Sequence, residues 1–338
     1  MNAIVESYRT LRADQPRLRA RDAARTLGIS EAELVAAGCT GEVRRLVPDF
    51  RGLLEALPSL GAVTVICRNE AAVHEKKGPF TPPEFGASGA IVHGGPIDLR
   101  LFLGPWRHAF AQREPSGRRS LQIFDAQGVA VMKVYLDDEA RYEAFDALVE
   151  RFADRGDAPV VVEPPPARAA CRDAVDVELL RRRWLAMRDT HEFFGMLRDV
   201  GVEREVALAV VGQDLSRELR PDVADALLRA AAERGLPIMV FAGNHGAINI
   251  HTGPVQRIVR MEHWLNVLDP DFNLHLDTRL VRRAFRVRKP TSDGTVTSIE
   301  LFDEHGEAVV LFFGERKPGI PELAAWRALV EELEASHG

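Results

Sequence analysis

The chain has 338 residues, enough for about two ordinary domains, and its 46% hydrophobic and 28% charged content is that of a globular protein with ample core. A formal net charge of −6 argues against generalised binding to nucleic acid or anionic membranes, so an anionic ligand needs a local group of cations. Cys39, Cys67 and Cys171 are odd in number, far apart and without CxxC or Cys/His spacing, which predicts reduced thiols and no cysteine metal site. No apolar run approaches the roughly 18 residues of a membrane span and the N-terminus carries no apolar signal segment, which together predict a cytoplasmic protein without membrane insertion.

Residues 4 to about 60 read as short helices: Ile4 to Arg12, Ala20 to Leu27, and a third opening at Ser30, an N-cap serine followed at N3 by Glu33. Arg21 to Leu34 has the helix, glycine-containing turn and second helix of a helix-turn-helix. Its second helix offers Glu31 and Glu33 rather than basic groups, so plain helix packing is the stronger reading and a DNA-binding regulator the weaker. From Ala62 the pattern turns to strands, at Val63 to Cys67, Gly89 to Val92, Ile97 to Leu103, Ser120 to Phe124 and Ala130 to Tyr135. The last two predict a hairpin closed at Gly128, with Leu121, Ile123, Val131 and Lys133 alternating as in half-buried strands. A helix from Glu139 to Phe152 follows. Gly156 to about Ala170, with Pro159 and the triplet Pro164 to Pro166, favours an extended connector.

The second half repeats the first. Val65 to Pro79 aligns with Val240 to Pro254, placing Asn69 on Asn244 and Gly78 on Gly253, each 175 residues apart. Asp98 to Leu101 aligns with Asn273 to Leu276 at the same spacing, so Arg100 falls on His275; Ser120 to Gly128 aligns with Ser298 to Gly306 at 178. The prediction is an α+β protein built as an internal tandem repeat, each copy with helices packed on a largely antiparallel sheet and a ligand cleft between the halves. The boundaries are an N-terminal repeat over 1–155, a Pro-rich linker over 156–175 and a C-terminal repeat over 176–338.

Arg183 to Asp199 reads as a helix with Trp184, Met187, His191 and Phe194 on one apolar stripe. A histidine there is either a hydrogen-bonded core residue or an axial ligand in an apolar pocket, and spacing alone favours the core residue.

Longer blocks give that histidine a context. Arg68-Asn-Glu-Ala-Ala-Val-His-Glu, Asp98-Leu-Arg-Leu-Phe-Leu, Trp184-Leu-Ala-Met-Arg-Asp-Thr-His-Glu-Phe-Phe, Val240-Phe-Ala-Gly-Asn and Arg288-Lys-Pro-Thr-Ser-Asp-Gly stand in one order along the chain. With Ala32-Glu-Leu and Trp264-Leu-Asn-Val they make the sequence resemble the HemS-type haemin-degrading factors, cytoplasmic partners of haem-uptake transporters, over nearly its whole length. The resemblance implies haem between the halves, with His191 as proximal iron ligand and Arg100 on the distal side. It implies that Arg204 and Lys289 meet the propionates and that Met239, Phe241, Val296 and Phe313 supply apolar wall. A neutral imidazole is a good haem ligand, and guanidinium and ammonium groups suit carboxylates. Read without the resemblance, Arg100, Arg204 and Lys289 are solvated charges; His74 and His275 are the alternative iron ligands.

This sequence departs from the resemblance at Leu311 and Phe313, where some members carry glutamine and tyrosine, and at His245, where relatives often have arginine. The leading expectation is a haem-degrading oxygenase-like protein that opens the porphyrin ring, releases iron and draws electrons from an external reductant or reductase, since no flavin or nicotinamide motif is visible. The alternative is a haem chaperone delivering to a separate haem oxygenase; a haem-uptake transporter is a further possible partner.

Overall fold

The structure, a computed structural model, describes residues 3–156, 158–165, 175–316 and 319–338. It divides into two compact units. Unit 1 comprises Met1–Arg68, Glu75–Ala167 and Gly243–Asn249; unit 2 comprises Asn69–His74, Arg168–Ala242 and Ile250–Gly338. Each unit thus contains a short piece drawn from the other half of the sequence, which a simple division at a linker does not anticipate. The expected 156–175 linker lies partly outside the described residues, as does Cys171.

The first half runs α1 (Ala3–Asp14), α2 (Ala20–Leu27), α3 (Glu31–Ala36), β1 (Glu42–Leu46), α4 (Phe50–Ala56), β2 (Ala62–Arg68) and β3 (Ala72–Pro79). It continues with β4 (Glu84–Phe85), β5 (Gly89–Val92), β6 (Asp98–Phe102), β7 (Trp106–Arg113), β8 (Arg119–Asp125), β9 (Ala130–Leu136) and α5 (Tyr142–Phe152). The Ser30 and Glu33 capping box forms as its spacing predicts: the Glu33 N–H donates to Ser30 Oγ at 3.2 Å, and the Ser30 N–H to Glu33 Oε2 at 2.9 Å. Glu31 turns inward to Lys133 at 2.5 Å, so the second helix of the apparent helix-turn-helix is docked on a sheet.

In unit 1, β1, β7, β8, β9 and β2 pair antiparallel in that order. Leu53, Leu54, Phe145, Leu148 and Phe152 from α4 and α5 join one core cluster with Val63, Val65, Leu121 and Ile123. Ala32 and Val35 of α3 join another with Phe110 and Phe124. With cover on both faces, β8 is buried along its whole length, in contrast to the half-buried alternation expected from sequence.

The second half runs α6 (Val177–Leu185), α7 (Glu192–Val200), α8 (Arg204–Val210), β10 (Ser216–Leu219), α9 (Val223–Glu233), β11 (Ile238–Gly243) and β12 (Ala247–Gly253). Then come β13 (Ile258–Met261), β14 (Trp264–Leu268), β15 (Phe272–Asp277), β16 (Arg283–Thr291), β17 (Gly294–Phe302), β18 (Ala308–Gly314) and α10 (Ala324–His337). In unit 2, β10, β16, β17, β18 and β11 pair antiparallel in that order, the strand order of unit 1 repeated. The α+β tandem repeat is therefore present in the fold.

The paired asparagines show the repeat at atomic level. Asn69 Oδ1 accepts from the N–H groups of Ala71 and Ala72 at 3.0 and 2.8 Å, and its amide donates to the Val309 carbonyl at 2.9 Å. Asn244 does the same with Gly246 and Ala247 at 2.9 and 3.1 Å and with Val131 at 2.9 Å. An Asn side chain that closes its own turn and tethers it to a neighbouring strand is a local reason for both hairpins. Among the described residues no helix is long and apolar enough to cross a membrane.

Candidate functional site

The stretch carrying His191 is not one helix. α6 ends at Leu185 and α7 begins at Glu192, with a turn between them. Asp189 makes the turn: its Oδ1 accepts the His191 backbone N–H at 2.8 Å and the His191 ring Nδ1–H at 2.6 Å. Asp competes with helical hydrogen bonding in this way, and the apolar period read across the break is lost. Trp184 and Met187 are buried as expected, but Phe193 rather than Phe194 takes the next inward place. The His191 side chain is 83% exposed, which corrects its expected position on the buried stripe.

Its chemistry is defined by Asp189. Hydrogen bonds from the His191 backbone N–H, and then from its ring, outweigh burial and hold the Asp189 carboxyl below its ordinary range. Asp189 accepts the hydrogen bond of His191 Nδ1–H, the kind of contact that orients metal-ligating histidines. Among the described residues no group of three His, Cys, Asp or Glu side chains is placed to hold a metal ion.

The sheet beside it is built from β16, β17, β18 and β11. Register pairs Lys289 with Val296, Ser298 with Phe313, Glu300 with Leu311, Met239 with Phe313 and Phe241 with Leu311. Because strand side chains alternate, all eight residues share one face. Val287, Phe285 and Phe302 of this face lie in a core cluster with Trp184, Phe193 and Leu208 of α6 to α8. Beyond that cover Met239, Phe241, Leu311 and Phe313 are half-buried, while Val296 is buried; the Phe241 and Phe313 rings meet edge-on at 5.1 Å. The opposite face, with Val240, Phe312, Ile299 and Ala284, forms the core under α9 and α10.

An ion cluster crosses the site face. Glu300, fully buried, accepts from Arg204 Nε and Nη2 at 2.8 Å each, from Lys289 Nζ at 2.7 Å and from Ser298 Oγ at 2.9 Å. The Phe193 ring lies 4.4 Å from Lys289 Nζ and 5.0 Å from Arg204 Cζ, and stacks edge-on to Trp184 at 4.6 Å. His191 is two residues before Phe193, which keeps its Cα within about 7 Å of that ring's backbone. The unit therefore gathers an outward imidazole, an apolar sheet face and two cations.

Burial would raise the Glu300 carboxyl, but Arg204 and Lys289 outweigh it and hold Glu300 far below the ordinary carboxylate range. Burial pushes the Lys289 ammonium down to about 8, against the upward pull of Glu300. Lys289 thus gives up its proton well below the ordinary lysine range, at about 8. Affinity for a carboxylate-bearing ligand is expected to fall as pH rises through this value, by no more than about tenfold per unit. Spectrophotometric titration across the range should show the inflection in the wild type and lose it in Lys289→Met; the same slope in both would remove Lys289 from the account.

Arg100 lies on β6 of unit 1, half-buried and bonded to Asp98 and to the Leu99 carbonyl, with Leu99 and Leu101 buried on the alternate face. His74 is fully buried in unit 2, 4.9 Å from the Phe272 ring, and His275 meets Asn266 Oδ1 through Nδ1 at 2.7 Å. His245 meets Asp125 at 3.2 Å in unit 1. The sequence reading missed Asp189, Phe193, Ser298 and Glu300. Asp189 was accessible through its Asx-turn spacing to His191; Glu300, an acid alternating with Ser298 and Val296 in a strand, was a visible oddity.

Fold and site define a tandem α+β repeat whose second copy offers one histidine beside a cation-bearing apolar face. The haemin-degrading HemS.ChuX domain matches the chain twice, over residues 28–152 and 201–333. This chain belongs to that family. The hemin transport protein HemS of Yersinia enterocolitica is 36% identical over 335 residues, covering 98% of this chain and 97% of HemS. Holo-PhuS, a haem-binding protein from Pseudomonas aeruginosa, matches with a TM-score of 0.94 at 45% identity, covering 98% of both chains. ChuS, described as an E. coli haem oxygenase, matches at 0.88 and 36% identity, covering 98% of this chain and 99% of that one.

Proposed function

We propose that the protein binds haem through His191 and opens the porphyrin ring oxidatively, with oxygen or peroxide and an external electron donor, releasing iron. Haem is the substrate in this reading. The observation that carries it is the imidazole of His191, exposed and held by Asp189 two residues before Phe193, whose ring lies 4.4 Å from Lys289 Nζ on the Met239, Phe241 and Phe313 face. Apolar side chains take the macrocycle, and the Arg204 and Lys289 cluster takes the propionate end. Leu311 and Phe313 add apolar surface there in place of polar contacts. Arg100 enters as the distal residue on its match to the family block alone. The likeness to ChuS supports ring opening.

A second reading is a haem chaperone that passes its cargo to a separate oxygenase, favoured by the likeness to PhuS and by the hemin transport proteins among the relatives. The two separate in one experiment. The purified ferric complex is given ascorbate in air with catalase present, and the Soret band and products are followed. Loss of the Soret band with an open-chain tetrapyrrole identified by mass is expected; an intact Soret band under conditions where ChuS turns over would leave the chaperone.

A further inference from the structure

We infer that Glu300 is a specificity-determining residue for the carboxylate end of the ligand: it holds the two cations that a ligand carboxylate needs, and so limits the site to one such group. The inference rests on the reading of Arg204 and Lys289 as the propionate end of the haem site.

The geometry carries it. Glu300 is fully buried, and its two oxygens accept four hydrogen bonds, from Arg204 Nε, Arg204 Nη2, Lys289 Nζ and Ser298 Oγ. The Nε and Nη2 edge is the fork through which arginine grips a carboxylate with two parallel bonds. Here that fork is spent on an internal carboxylate, and the Lys289 ammonium, 3% exposed, is spent with it. Two positive charges and one negative leave a single net charge. The Arg204 side chain keeps 26% exposure, and its Nη1 takes no part in the pairing with Glu300. Such a residue accepts one carboxylate end-on. A porphyrin with two propionates meets no second matched cation within this cluster.

Haemin and its dimethyl ester titrated into the full chain give the test, read as the ratio of the two affinities. In the wild type the diacid is preferred. Glu300→Gln, nearly isosteric, removes the charge that neutralises Arg204 and should raise the diacid-to-diester ratio about 10-fold, the scale of one charge-assisted hydrogen bond gained. A merely structural role would lower both affinities together and leave the ratio unmoved. Since Glu300→Gln strands a buried lysine, the titration is repeated with Glu300→Gln and Lys289→Met combined, which replaces the ion pair and still leaves the Arg204 charge without an internal counter-charge; the ratio should rise there too. A wild-type preference for the diacid that neither variant changes overturns the role of Glu300 and leaves the propionate reading standing. A wild type that binds diacid and diester equally overturns the propionate reading and this inference with it.

Discussion

His191→Ala is expected to weaken haem binding by at least about 100-fold, the upper end of what losing an outer-shell partner of a metal ligand costs, because here the ligand itself goes. The expectation follows from the imidazole's setting rather than from its presence alone. Asp189 holds Nδ1 at 2.6 Å, which favours the tautomer protonated there and with Nε2 unprotonated. The ring is 83% exposed, so a planar chelate can approach it from solvent. Asp189→Ala should cost less, about 10-fold, because the ligand stays and only its orientation and basicity are lost. A spectrophotometric titration that found His191→Ala binding as tightly as the wild type would move the ligand to His74 or His275. His74 would then need the core around Phe272 to open, and His275 would need to bind through Nε2.

Glu300→Ala is expected to destabilise the fold by about 3–5 kcal/mol, since it strands the buried Lys289 ammonium and half of the Arg204 guanidinium without an anion. The same cluster replaced as a unit should fare better. Glu300→Gln with Lys289→Met removes both charges of the buried pair and should recover much of that loss, as buried pairs exchanged for packed groups often do. Denaturant unfolding of the wild type, both single variants and the double gives the coupling directly. Acid adds an independent sign. The Glu300 carboxyl is depressed below its ordinary 4.5 in the fold, so its stabilisation is complete above that value and lost as pH falls below it. Wild-type stability should therefore drop more steeply below pH 4.5 than that of the double variant; parallel profiles would place the acid-labile energy elsewhere.

Much of this architecture was legible in the residues. The 175-residue repeat marked the paired hairpins, and Asn69 and Asn244 do the same work in each. The Ser30 capping box and the β8–β9 hairpin are local chemistry that tertiary structure left in place. The failures share a cause. Helical periodicity from Trp184 to Phe194 ignored Asp189, a side chain that competes for backbone N–H groups and breaks the helix before His191. Burial of β8 on both faces depends on α3 folding back across the sheet, which no window along the strand contains. The reciprocal pieces at 69–74 and 243–249 are likewise invisible to a search for a linker. The wall residues were named by resemblance, and register then put Met239, Phe241, Val296, Phe313 and Lys289 on one face. Glu300 was passed over because an acid inside a strand has no motif; its meaning appears only when Arg204, 96 residues away, closes on it.

The most direct test of the central claim, that His191 is the residue meeting iron, is the iron–histidine stretching band in the resonance Raman spectrum of the ferrous complex. The wild type should show the band, and His191→Ala should lose it and regain it with added imidazole. A band that persists unchanged in His191→Ala without imidazole would contradict the account.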